Sequence, residues 1–385
     1  MSEPHEIHRR QRPGAAESST PVAVVTAIDA VLRDSLVASL LLDVPGAVAL
    51  RYEVDVESVT LRRLVLSADG IAEDEEVILE HPCASCAMRE DAVPALNRLA
   101  SDPRISVILL APPISADPSI VAGTLAPHQR AWHLASASTV LSAESLHEDL
   151  LGDATLAERQ LQWAEGDERS VGEALAAQIE YSGLLVLDAD GSSDADGEPA
   201  MQGIAAGREL LEHLRAPDQL LAVGLHDLES GSMHRGALDH QAALLRRDAR
   251  VVEPYGGPSA HGTWTLDLHS ERPFHPDRLL ENIEALGGGR LRSRGRFWVP
   301  DRPDTICQWD GAGGQVSIGA TWKTARELPT TRLVVTGVDA ADVERVRGAF
   351  GRSLLTEHEW AAGLESWLGA EDPLAPWLGA RGVLR

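Results

Sequence analysis

Short runs of consecutive apolar residues, each followed by a segment with helical spacing, constrain this chain most. The run VAVVT at 22–26 and the run VILLA at 107–111 have no alternation. That is what strands buried on both faces of a parallel sheet require. Behind the first run, Leu32, Leu36, Val37 and Leu40 share one face of a helix over 28–42. Residues 47–54, 61–66, 76–80 and 184–187 read as further strands, and 89–99 and 171–181 as helices. Strands alternating with helices define βαβ units and an α/β domain with a parallel sheet. Residues 204–214 read as another helix and 249–252 as another strand.

Composition breaks the pattern twice. The stretch DADGSSDADGEP at 188–199 is acidic, rich in glycine and serine, and nearly without apolar residues, so it reads as a surface loop. Near Gly256 the character changes. TWTLDLH at 263–269 alternates like a half-buried strand. A helix over 276–286 has Pro276 in its first turn. Residues 290–299, 305–309 and 315–318 follow as antiparallel strands, the last two joined by the turn DGAGG at 310–314. A strand at 332–336 and a helix at 341–350 complete an α+β unit. The expected organisation is a mobile tail at 1–20, an α/β domain at 21–255 and an α+β domain at 256–356. A tail at 357–385 carries Trp360, Trp367 and Trp377. Trp298 and Trp309, on adjacent strands, are expected in the core.

Charge narrows the function. Against 34 basic residues stand 59 acidic ones, a formal net charge of −25 over 385 residues. Such a chain repels nucleic-acid backbones unless a local basic patch compensates. The best basic stretch holds Arg290, Arg292, Arg294 and Arg296 at alternate positions, on one face of a strand. The expectation is a solvated face paired with some of the many carboxylates, and no direct nucleic-acid binding. No apolar run approaches the roughly 20 residues of a membrane-spanning helix, and the polar start lacks a secretory signal. A cytoplasmic protein is expected.

Chemistry concentrates at Cys83-Ala84-Ser85-Cys86, between an expected strand and an expected helix. Two thiolates at this spacing make half of a tetrahedral zinc site. A thioredoxin-like dithiol and two small residues packed at a turn are the competing readings. Zinc is preferred, with His81, Glu53 and Glu80 as possible additional ligands. The third cysteine, Cys307, stands alone, and an odd count of three argues against a disulfide framework. His226, Asp227, His234 and His240 form a looser group, read as scattered surface residues.

The surroundings of that motif resemble the CobW-like G3E family, whose G-C-x-C-C is followed by x-x-R-x-D-L. Cys83 and Cys86 match its first and last cysteines, Arg89 and Asp91 match the residues that follow, and Ser85 replaces the middle cysteine. Further along, RPFHPDRL at 272–279, GRLRSRGRFW at 289–298 and RLVVTG at 332–337 are similar to blocks of the family's C-terminal domain. The resemblance spans nearly all of 21–380. It implies a three-layer N-terminal domain like that of P-loop NTPases, followed by an α+β CobW-type domain.

The family's GTP chemistry needs glycines and a lysine to cradle phosphates and a hydroxyl for Mg²⁺. Here the first strand is followed by AIDAVLRDS at 27–35, with no glycine and no lysine, and with Asp29 and Asp34 to repel a triphosphate. The family's E-T-S-G is replaced by Ala111-Pro112-Pro113-Ile114, ahead of the retained Ala116-Asp117-Pro118. Its guanine motif falls loosely at Asp188-Ala189-Asp190 without asparagine or lysine. Loss of all three implies little or no GTP and Mg²⁺ binding and no catalytic residues. C-x-S-C with a missing P-loop resembles an actinobacterial subgroup that recruits a ribosome hibernation factor. The resemblance therefore implies a zinc-linked adaptor for a protein partner at the ribosome under zinc limitation. The alternative is a GTP-dependent zinc metallochaperone.

Overall fold

The computed structural model describes residues 19–79, 84–189, 198–225, 228–322, 329–367 and 369–381. In chain order, β1 (Thr20–Thr26) leads to α1 (Ala30–Asp43), β2 (Ala47–Asp55), β3 (Thr60–Ser67) and β4 (Gly70–Ile78). α2 (Ala84–Ala87) continues through one π-helical turn, Met88–Ala92, into α3 (Val93–Ala100). Then come β5 (Val107–Ala111), α4 (Pro118–Leu125), β6 (Trp132–Ser142), α5 (Leu146–Leu151), α6 (Val171–Tyr181) and β7 (Leu184–Asp188). α7 (Glu198–Leu214), β8 (Leu220–Val223), α8 (Gly231–His234) and α9 (His240–Arg247) follow.

These strands form one eight-stranded sheet in the order β4-β3-β2-β5-β1-β6-β7-β8. All neighbours from β2 to β8 run parallel, while β3 and β4 are added antiparallel as a meander. The continuous apolar runs have a direct cause. In β1, Val22 and Val24 pack on the side of α3 and α4, and Ala23 and Val25 on the side of α1. A strand covered on both faces has no position to give to a polar residue.

The second half is built from β9 (Trp264–Ser270), α10 (Pro276–Gly287), β10 (Leu291–Phe297), β11 (Thr305–Ala312), β12 (Gln315–Trp322), β13 (Thr331–Gly337) and α11 (Ala341–Ser353). α12 (Glu357–Ala361) and α13 (Ala375–Leu378) end it. Its five strands are antiparallel throughout, in the order β12-β11-β10-β13-β9. Phe274, Leu279, Phe297, Trp309 and Phe350 fill the core beneath α10 and α11, and Leu374 and Leu378 from the chain's end join it. The fold class is therefore the expected one in its architecture: an α/β unit on a mainly parallel sheet, then an α+β unit on an antiparallel sheet.

Several boundaries differ from expectation. Thr20 already belongs to β1. β4 begins at Gly70, six residues before the expected strand. α7 starts at Glu198, inside the stretch read as a loop, whose residues 190–197 lie outside the described residues. Residues 249–252 are a turn, and the outer strand is β8 instead. The turn between β11 and β12 is tighter than DGAGG. Ala312 pairs with Gln315, and Gly313 and Gly314 alone turn the chain, at φ of 58° and 72°. Positive φ at both central residues suits glycine and matches the twist of the flanking strands.

The four arginines around β10 correct a stronger expectation. Pairing with carboxylates is as expected, and Arg290 is exposed, but the face is not solvated along the strand. Arg292 and Arg294 are buried, at 3% and 8% exposure, and all four reach across to the first half of the chain. Arg290 donates to Glu148 at 2.7 Å and Arg292 to Glu180 at 2.6 Å; Arg294 forms an ion pair with Glu180 at 2.8 Å and donates to the Arg246 carbonyl at 2.9 Å, while Arg296 donates to the Arg250 carbonyl. The basic strand is the seam between the two sheets. The hairpin tip closes that seam. Ser170 donates to the Ala312 carbonyl at 3.3 Å, and a side chain on Gly172 would collide with the Gly313 backbone.

Candidate functional site

The crevice beyond the carboxyl ends of β1 and β5 is where an open parallel sheet binds its ligand. Only Ala27, Ile28 and Asp29 separate β1 from α1. That is too short for a phosphate-cradling loop of eight residues. The first amides of α1 would be free to meet an anion. Asp29 already supplies one: its carboxylate accepts from the amides of Val31 at 2.7 Å and Leu32 at 3.0 Å. The Ala27 carbonyl accepts from the Ser115 amide at 3.1 Å and from Gln178 Nε2 at 3.2 Å. Gln178 also donates to the Ala116 carbonyl at 3.0 Å, so α6 ties β1 to the loop after β5. In that loop Ser115 is buried, with φ at 64° and its hydroxyl on the Leu161 carbonyl. The crevice is packed with the chain's own polar groups.

Asp34, expected to repel phosphate alongside Asp29, is engaged by cations. Arg33 meets it at 2.9 Å and Arg51 at 2.7 Å. Arg33 is itself buried and donates to the Pro112 carbonyl at 3.1 Å. Asp117 caps α4 through the Ser119 amide and pairs with Arg247 at 2.9 Å. The sequence signal for the Asp29 cap was an aspartate directly before an apolar helical stretch. Gln178 gave no local signal, since its partners lie 62 and 151 residues away.

Of the expected metal pair, Cys83 lies outside the described residues, as do Glu80 and His81. Cys86 is half-buried in α2 and receives Arg89 Nη2 at 3.8 Å. A cation beside a thiol favours its thiolate, the form that binds metal. Two residues on, Asp91 anchors the π-turn. It accepts from the Tyr52 hydroxyl at 2.6 Å and from Arg63 at 2.6 Å, fastening the cysteine-bearing helix to β2 and β3. Burial, and then the Asp91 carboxylate, push the Tyr52 phenol well above its ordinary range, so it stays a donor. Met88 and Ala92 on the other side of the turn are fully buried. π-turns inside helices are frequent at functional sites.

Glu53 is not brought to Cys86. Side chains alternate along β2, and Tyr52 takes the face that meets Asp91. Glu53 is held on the opposite face by Arg51 at 2.7 Å and Arg62 at 3.5 Å. Among the described residues no three His, Cys, Asp or Glu side chains cluster as a metal site. The thiolate chemistry of Cys86 fits zinc, and further ligands would have to come from 80–83 or from another molecule. His240 is occupied by the Tyr181 hydroxyl at 2.6 Å, and His226 and Asp227 lie outside the described residues. Among the described residues no helix is long and apolar enough to cross a membrane.

Residues 263–354 match the family model of the cobalamin synthesis protein cobW C-terminal domain. A zinc-regulated GTPase metalloprotein activator of Dictyostelium discoideum is 26% identical over 266 residues. That match takes in 63% of this chain and 53% of the relative, so the chain spans about half of that relative's length. A zinc chaperone of Mycobacterium tuberculosis is 24% identical over 406 aligned positions, 93% of each chain. Among solved structures, the zinc-bound YjiA GTPase of E. coli is 16% identical, with a TM-score of 0.34, over 88% of this chain and all of that one. The segment from β9 to α11 thus matches a CobW C-terminal domain.

Proposed function

We propose that this protein is a zinc-linked CobW-like adaptor that works without hydrolysing GTP. It binds a protein partner under zinc limitation, with a ribosome hibernation factor as that partner. One observation carries the reading: the Asp29 carboxylate sits on the α1 amides where a nucleotide phosphate would need to be. A phosphate there would meet a fixed negative charge and no lysine. The zinc half rests on the thiolate pair Cys83 and Cys86 and is supported by two relatives whose names carry zinc. With a net charge of −25, contact with a ribosome runs through a basic protein rather than through bare RNA.

Affinity purification of the full-length protein from zinc-starved and zinc-replete cells tests the adaptor role. The expected result is a ribosome-associated protein recovered only under starvation. Recovery of the same proteins in both conditions would overturn it. The second reading is a GTP-dependent zinc metallochaperone, favoured by the relative named as a GTPase. Titration with a fluorescent GTP analogue separates the two. Tight, Mg²⁺-dependent binding would establish the second reading and end the first.

A further inference from the structure

A cleft of about 680 Å³ lies where α10, the end of α11 and the start of α12 meet, and Arg272, Arg278, Arg352 and His358 line it. In a chain with 59 acidic and 34 basic residues, an arginine without a carboxylate is an exception. Two of the exceptions among the described residues are here. Arg272 donates to the Leu355 carbonyl at 2.9 Å, and Arg352 donates to Asn282 Oδ1 at 3.0 Å. Neither pairs with an acid. Arg278 gives one terminal nitrogen to Glu359 at 2.6 Å, while its buried Nε has no acceptor.

We propose that this cleft binds a small phosphorylated molecule. Guanidinium forks match phosphate oxygens in pairs and hold them by charge-assisted hydrogen bonds. The volume is in the range of small-ligand sites. Glu281 and Glu357 stand on the same walls and would accept from hydroxyl or amine groups on the remainder of the ligand. The site is separate from the cysteine motif and does not depend on the adaptor reading.

The test is isothermal titration of the full-length protein at fixed ionic strength, with inorganic phosphate and with ribose 5-phosphate as probes. Saturable binding of phosphate at millimolar concentration is expected, tighter for the sugar phosphate. Arg352→Gln, at an exposed position, should weaken it roughly tenfold. Arg272→Lys, which keeps the charge and loses the fork, should weaken it as well. Arg130→Gln, at an exposed position away from the cleft, should leave it unchanged. Absence of saturable phosphate binding would overturn the proposal, as would equal loss in Arg130→Gln or unaltered binding in Arg352→Gln. Circular dichroism of each variant shows whether a loss reflects unfolding.

Discussion

Glu180 of α6 and Arg292 of β10, separated by 112 residues in sequence, meet at 2.6 Å in the seam between the two sheets. Both are buried, and Arg294 adds a second cation to the same carboxylate at 2.8 Å. Breaking a buried pair leaves an uncompensated charge, which costs about 3–5 kcal/mol. Glu180→Ala should therefore destabilise the protein by about that amount in urea unfolding. Replacing Glu180, Arg292 and Arg294 together by leucine and methionine should recover most of the loss, because no buried charge is then stranded: Asp310, which also meets Arg292 at 2.5 Å, is half-exposed and stays hydrated. If the triple variant is no more stable than Glu180→Ala, the seam depends on the ions themselves.

The same pair sets a pH dependence. Burial alone would raise the Glu180 carboxyl, but Arg292 and Arg294 hold it below its ordinary 4.5. A lowered folded value means the contribution is complete above pH 4.5 and is lost as pH falls through the folded value. Urea midpoints should show this term flat from pH 7 to about pH 5 and declining below about pH 4. In Glu180→Ala that acid decline should be shallower.

Asp29 predicts a cost without a gain. Asp29→Ala removes the α1 cap and should lower stability by about 1 kcal/mol, and Asp29→Ser should retain most of it. On the adaptor reading neither variant acquires GTP binding, because Ala27 stays tied to Ser115 and Gln178. A fluorescent GTP analogue titrated into both variants checks this. Binding regained on removal of Asp29 alone would show that the crevice is held shut by one residue.

For the metal, competition against a chromophoric chelator should report weak, exchangeable zinc in the wild type. It should report none in the double variant Cys83→Ser, Cys86→Ser. The affinity should fall with decreasing pH as the thiols protonate. Equal binding by both proteins, or by neither, would leave the cysteines as packing residues and remove the zinc half of the proposed function.

Thiol chemistry separates the cysteines in a second way. Burial pushes the Cys307 thiol up to about 12, whereas Cys86 is half-buried beside Arg89. Alkylation at pH 8 should label Cys86 in the folded protein and Cys307 only after unfolding. Zinc should protect Cys86. Peptide mass spectrometry reads both outcomes.

The sequence was most legible where one cause acted locally. β1 and β5 stood out because burial on both faces demands unbroken apolar runs, and α6 matched its expected limits. β6 escaped notice because WHLASASTVLS mixes small polar and apolar residues without a period. Its Ser138 and Thr139 are buried all the same, bonded to the Val24 and Gln178 carbonyls. The alternation of arginines correctly marked a strand in β10, but nothing local could reveal Glu180 across from it. At the candidate site the C-x-x-C spacing was visible. The roles of Asp91 and Gln178 were not, because each is defined by partners from distant segments.

The packed crevice has a consequence for how such a protein would report zinc. A nucleotide switch is driven one way round a cycle by hydrolysis, and its state depends on when it last turned over. With the β1–α1 turn capped by Asp29 and pinned by Gln178, the proposed adaptor would have no such fuel. Its cysteine segment would respond to zinc at equilibrium, equally on filling and on emptying, and the partner's occupancy would follow free zinc like the reading of a gauge, without memory.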